Sequence, residues 1–268
     1  MKRFHPWRVP FDKSLDLSEW PTRLSAKDKK IWGKGSADET FERLNKLQST
    51  LYASKSHGLL LVLQGMDTAG KDGVIRHVFT HVSPLGVRAQ AFAAPSEEEK
   101  RHDFLWRIHR KVPAKGEMVI FNRSHYEDVL VPHIQGLLKP KVLRKRLTHL
   151  NRFEDLLHDE KVRVIKCFLH ISKDEQKRRL QARMDDPHKQ WKLQASDFED
   201  RQRWSDFMQA YAQTLSATST QDAPWYVIPA DDKSDRDRFL AALLVDTLED
   251  MDLTMPKPSL KLGDYSLS

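Results

Sequence analysis

Gly65, Gly70 and Lys71 stand in the pattern GxxxxGK, directly after the apolar run Leu59 to Leu63 and ahead of Val74, Ile75 and Val78 at helical spacing. Strand, glycine loop and helix in that order bring backbone N–H groups and an electropositive helix start to one point, which is how a chain cradles phosphate oxygens. Gly65, Ala69, Gly70 and Gly73 let the backbone approach an anion closely, and Lys71 adds a point charge. Two acids interrupt this anion-binding stretch. Asp67 would repel a phosphate unless it faced a divalent cation or the acceptor's reacting end, so it is the candidate ligand for Mg²⁺, with Mn²⁺ as the alternative ion. Asp72 occupies the place where a Ser or Thr hydroxyl ordinarily meets Mg²⁺; it could hold a water of the metal's shell, or simply complement the helix dipole. The alternative is an ordinary strand-to-helix turn with an exposed lysine; the placement of the pattern after five apolar residues favours the phosphate role.

A second polar cluster follows another apolar run. Met118 to Phe121 breaks at once into Asn122, Arg123, Ser124, His125, Tyr126, Glu127 and Asp128, and the ends of buried strands are where open α/β sheets bind ligands. Arg123 suits a transferring phosphoryl group, while Glu127 and Asp128 suit metal or substrate contact and, with Asn122, are the candidate nucleotide-binding residues. A third cluster, Arg178, Arg179 and Arg183, precedes Asp185 to Ser196, where the apolar period fails around Pro187. A long irregular stretch inside an α/β domain reads as a lid, and arginines beside a lid can clamp phosphate; the alternative is a solvated basic helix face. His77, His81, His102 and His109 have no paired ligand spacing and receive no role.

These clusters require elements that hold them together. Short apolar runs at Leu59–Leu63, Val87–Phe92, Met118–Phe121, Val162–Leu169 and Trp225–Ile228 alternate with helical patterns, which implies a mostly parallel five-stranded sheet covered on both faces. The helices expected are Ser36 to Tyr52, with Ser36 or Asp38 as N-cap; one from the loop to Ser83; one from Glu97 through Ile108; Pro140 to Asp159; Ser172 to Met184; Phe198 to Leu215; and Phe239 to Leu248. The expected fold class is a three-layer α/β/α P-loop fold with a helical lid around 178–200. Residues 1–35, dense in Pro and Trp, are expected to form an N-terminal arm, 36–255 the P-loop domain and 256–268 a C-terminal tail.

The 268 residues carry 45 Lys plus Arg against 38 Asp plus Glu, a net charge of +7, which favours a polyanionic partner without choosing among phosphate chains, nucleotides and nucleic acid. The basic residues are scattered and no recognition helix or base-stacking motif stands out, so a nucleic-acid partner is not expected. The single cysteine, Cys167, precludes an intramolecular disulfide and reads as a buried, inert thiol. No apolar run is long enough to span a bilayer and Met1 to Pro10 has no signal-peptide stretch, so a cytoplasmic protein without a membrane partner is expected.

Taken together, Gly65 to Gly73, Phe104 to His109 and Phe121 to Val129, with Trp191-Lys192, Ala223 to Tyr226 and Lys233, resemble the second family of polyphosphate kinases. That resemblance implies phosphoryl transfer between inorganic polyphosphate and nucleotides, with Asp67 essential, Lys71 and Arg123 on phosphate, and a homo-oligomer. The Gly-Lys-Asp ending is similar to the family's own loop. Many members have Asp at the position of Asn122 and Asn at that of Glu127; the pairing here resembles the subclass that takes both AMP and ADP, so ADP and ATP are the expected products. An ATP-dependent nucleoside monophosphate kinase remains the alternative at this level, and a non-enzymatic polyanion-binding protein a second.

Overall fold

Strands apolar at nearly every position belong in the middle of a sheet covered on both faces, and the computed structural model places them there. It describes residues 2–11, 13–32 and 35–260; residues 1, 12, 33 and 34 of the arm and 261–268 of the tail lie outside the described residues. The order is α1 (Ala26–Trp32), α2 (Ala37–Ser54), β1 (Gly58–Gln64), α3 (Lys71–Phe79), β2 (Val87–Ala91), α4 (Trp106–His109), β3 (Met118–Asn122), α5 (Glu127–Ile134), α6 (Pro140–Asp159), β4 (Val162–His170), α7 (Lys173–Met184), α8 (Ala195–Gln202), α9 (Trp204–Thr218), β5 (Trp225–Pro229) and α10 (Lys233–Glu249). The five strands are all parallel, in the order β2-β3-β1-β4-β5. The α/β/α expectation is thus borne out, with a sheet parallel throughout.

β1 is central and every one of its residues is buried. Leu61 pairs with Ile120 on one side and Ile165 on the other. Its odd residues join α2, α3 and α10 in one core; Leu60 and Val62 join α5, α6 and α9 in the other. Cys167 is buried in the first core, and burial pushes its thiol far up, so it is inert. At the β5 edge Val9 N donates to Trp225 O at 2.9 Å and Arg8 bridges Tyr226 antiparallel, so the N-terminal segment covers part of a strand edge that would otherwise be open.

Ser36 is the N-cap of α2, in a capping box with Glu39. The helix expected over Glu97 to Ile108 is interrupted. A 3₁₀ turn at Glu99–Arg101 ends at the extended His102, and Asp103 Oδ1 accepts from Leu105 N at 3.0 Å, so the short carboxylate offers the backbone an alternative to helix continuation. The helix expected over Phe198 to Leu215 is likewise two, broken at Arg203 with φ −93° and ψ 25°, where the guanidinium is held by Ile134 O and Asp206. α10 begins earlier than the apolar period implies, because Asp232 caps it.

Beneath the end of β3 lies a fully buried ionic network. Lys166 Nζ donates to Glu154, to Thr218 O at 2.6 Å and to Tyr126 Oη at 3.1 Å, while Tyr126 Oη donates to Glu154 at 2.7 Å and His125 Nε2 lies 3.1 Å from it. Burial alone would raise the Glu154 carboxyl, but the Lys166 charge and the His125 bond outweigh it and hold it below its ordinary value. Four elements, β4, α6, the segment after β3 and the end of α9, are fixed through these groups. Lys166→Met leaves the Glu154 carboxylate buried and uncompensated; we expect a loss of about 3–5 kcal/mol in guanidinium unfolding.

Candidate phosphotransfer site

The connections out of β1 and β3 depart to opposite faces of the sheet, α3 to one and α5 to the other. Between their starts a crevice opens at the C-terminal ends of two adjacent parallel strands. Arg123 Nη2 and Asp67 Oδ1 meet across it at 2.8 Å. Two non-glycine residues here adopt left-handed backbone, Thr68 at φ +65° and Arg123 at φ +61°. Such conformations cost about 1–3 kcal/mol each and collect at functional sites. Gln64 Nε2 donates to Ser124 Oγ at 3.2 Å, tying the ends of β1 and β3 together behind the pair.

The loop itself needs two of its glycines for different reasons. Gly70 is the N-cap of α3 at φ +104°, and a Cβ there would fall 2.0 Å from Arg236 Nη1; Gly65 sits at φ +150° with a Cβ position 2.8 Å from Leu169 O of β4. No side chain caps α3, so its first N–H groups are left for an anion. Lys71 is buried, with Nζ on Gly65 O at 2.7 Å and Met66 O at 3.2 Å. Burial pulls its pKa down, with the Asp67 charge opposing.

In front of the loop is a cavity of about 1000 Å³. Asp67, Gly70, Lys71, Asp72, Gly73, Asn122, Arg123, Arg178, Arg179 and Arg183 all line it. Gly65 and Ala69 do not: the first lets the loop pass β4, the second is buried. Asp72, expected at the phosphates, accepts from Asn122 Nδ2 at 2.7 Å and lies 3.7 Å from Lys192 Nζ, so its carboxylate links α3 to the end of β3 and to the lid turn. Asp128 is turned away from the cavity and receives Arg107 Nη2 at 2.9 Å. Glu127 stands behind the lining near Arg123 and Lys71; burial raises its carboxyl against their charges.

Several lining residues carried no sequence signal. Arg76, Lys189 and Arg236 add cations, and Arg236 is buried under the loop beside Asp237. Asp197 also lines the cavity, 3.9 Å from Arg183 Nη1, and Asp200, one helical turn on, senses Asp67. Asp197 and Asp200 sit on a helix whose apolar residues gave only a period, so nothing in the sequence aimed them at Asp67. Burial first, then the Asp67 charge, push the Asp200 carboxyl up to about 6. The described residues contain no group of three or more metal-ligating side chains. Asp67, a cavity carboxylate outside any such group, suits an ion held by one or two carboxylates and by substrate phosphates, not an all-protein cage.

A parallel sheet with a glycine loop opening α3, an arginine at the neighbouring strand end and a cationic lid defines a P-loop kinase. Residues 27–256 match the family Polyphosphate kinase 2 (PPK2). The chain is 51% identical over 216 residues to the AMP/ADP-polyphosphate phosphotransferase of Meiothermus ruber, covering 81% of each chain. It is 40% identical over 265 residues to the ADP-polyphosphate phosphotransferase of Rhodopseudomonas palustris, covering 94% of this chain and 91% of that one. The crystal structure of polyphosphate kinase 2 from Arthrobacter aurescens TC1 superposes with a TM-score of 0.88 at 38% identity, over 98% of this chain and 94% of that one. The chain belongs to the polyphosphate kinase 2 family. No described helix is long and apolar enough to cross a membrane.

The raised Asp200 carboxyl makes a signed expectation. A carboxylate whose folded pKa lies above its unfolded value stabilises least once ionised, so its contribution falls as pH rises from about 4 to 6. Asp200→Asn should therefore melt at a higher temperature than the parent at pH 7.5 and at the same temperature at pH 4; equal melting temperatures at pH 7.5 would refute the assignment.

Proposed function

We propose that the protein transfers phosphoryl groups from inorganic polyphosphate to AMP and to ADP, giving ADP and ATP and a polyphosphate one unit shorter. The observation that carries the reading is the Asp67–Arg123 pair at the mouth of an uncapped helix, inside a cavity rimmed by cations. A purely basic groove would suit any polyanion; an acid set into it marks the place where phosphate chemistry is organised. The relative from Meiothermus ruber, named for both AMP and ADP, supports the dual acceptor.

The first N–H groups of α3 and Lys71 hold the donor phosphates, and Arg123 takes the charge that spreads over the transferring group. Asn122, fixed by Asp72, would meet the acceptor, and Glu127, set behind Arg123 and Lys71, would act on it through them. The acceptor's terminal phosphate already carries an anionic oxygen at neutral pH, so its attack on the terminal phosphorus needs no general base. The P–O bond to the rest of the chain breaks as the new one forms, and alignment supplies much of the acceleration. Asp67 would hold Mg²⁺, which supplies charge neutralisation for the two anions when bound. Arg178, Arg183, Lys189 and Lys192 line the cavity where the phosphate chain would lie, so its binding should weaken with salt.

The deciding assay offers polyphosphate with AMP or with ADP, with and without Mg²⁺, and no nucleoside triphosphate; ATP should form from both acceptors only when the metal is added. Product from ATP plus AMP but none from polyphosphate would establish the ATP-dependent alternative. Asp67→Asn should lower kcat by about 10²–10³-fold, the scale of lost transition-state charge stabilisation, while polyphosphate binding is retained.

A further inference from the structure

A peptide group points its C=O and its N–H in opposite directions. In the stretch from Gly65 to Ala69 every carbonyl meets a side-chain donor. Lys71 Nζ serves Gly65 O and Met66 O, Gln176 Nε2 serves Asp67 O at 3.3 Å, and Arg179 Nη1 serves Thr68 O and Ala69 O at 3.0 Å each. Arg236 Nη1 adds a longer bond to Ala69 O at 3.3 Å. Two of these donors, Gln176 and Arg179, come from α7, the helix that leads into the lid.

Arg179 was grouped by sequence with Arg178 and Arg183 as a phosphate clamp, yet the two neighbours differ. Arg178 is exposed and, among the described residues, bonds Glu175 alone. Arg179 is buried, and a guanidinium has five N–H groups. Nε bonds Glu175 at 2.7 Å, Nη1 the two loop carbonyls, and Nη2 Ala230 O at 2.6 Å and Asp231 O at 3.0 Å. All five are spent on protein acceptors and none is left for a phosphate oxygen. The loop carbonyls it donates to belong to Thr68, the residue held at φ +65°, and to its neighbour Ala69.

We infer that Arg179 is a positioning residue: it holds the phosphate loop rather than the phosphate, and couples the loop's conformation to the lid helix α7 and to the turn between β5 and α10. Lysine keeps the charge but has three donors and no planar fork, so it cannot bridge the same four carbonyls. The activity readout of this inference rests on the proposed phosphotransfer; its structural readout does not.

The test is Arg179→Lys in the full chain, compared with the parent and with Lys189→Ala as a cavity-lining control. Amide hydrogen exchange without ligand should accelerate at least tenfold in peptides covering 65–74 while β1 and β4 keep their protection, and kcat should fall more than KM for polyphosphate rises. The slope of log Kd for polyphosphate against log salt should match the parent's, whereas loss of a direct phosphate contact lowers such a slope by about one. The inference stands only if loop exchange accelerates and the slope is unchanged; any other combination overturns it. If the parent neither binds polyphosphate nor transfers from it, the proposed function fails and loop exchange alone decides the inference. Should Arg179→Lys not fold, Gln176→Met, which removes only the bond to Asp67 O from the loop, must accelerate exchange at 65–74; unchanged exchange there overturns it.

Discussion

A loop that presents N–H groups to an anion turns its carbonyls towards the protein, and buried carbonyls must find donors there. This requirement organises the molecule around residues 65–70. It explains why Lys71, Gln176, Arg179 and Arg236, from three different helices, converge on a stretch of five peptides. It also explains a strained Thr68: a left-handed β-branched residue persists only where its surroundings over-determine it, and two guanidinium bonds at 3.0 Å to its own carbonyl and the next supply that determination.

The other half of the site is held by a different device. Arg123 also has positive φ, and the chain continues from it straight into the buried His125, Tyr126, Glu154 and Lys166 network. Buried ion pairs are poor sources of net stability, because desolvation offsets most of their attraction. Their geometric demand is strict, however, and here it fixes the segment that places Arg123 opposite Asp67. One side of the crevice is therefore held by bonds to loop carbonyls and the other by a charge network under β3.

The resulting cavity carries both signs of charge. Cations from α3, α7, the following turn and α10 line it together with Asp67 and Asp197, each beside an arginine, while burial first and the Asp67 charge second raise the Asp200 carboxyl to about 6. A uniformly basic groove would hold polyanions and leave them inert; acids set among its cations can receive a metal ion and so bring two anions together. Asp72 illustrates how one residue can be read two ways. Its place in the loop pattern suggests a metal or phosphate role, and its contacts make it the link between α3, Asn122 and Lys192.

The sequence by itself determined the sheet, the loop and the strand-end cluster, because each is a local signal: apolar runs, glycine spacing, and a polar break after a buried strand. Asp67, Lys71 and Arg123 could be named because they lie within such signals. The interruption at Asp103 and the break at Arg203 were not legible, since apolar spacing continues through both while short-range bonds redirect the backbone. Nor could spacing separate Arg178 from Arg179 or assign Arg236, Asp197 and Asp200. Adjacent residues on a helix face different directions, and which of them reaches a loop carbonyl, a cavity or solvent depends on what the fold packs against that helix. Only the tertiary structure decided that Arg179 serves the loop and that Asp128 serves Arg107, because a hydrogen bond between residues far apart in the chain leaves no period in the sequence.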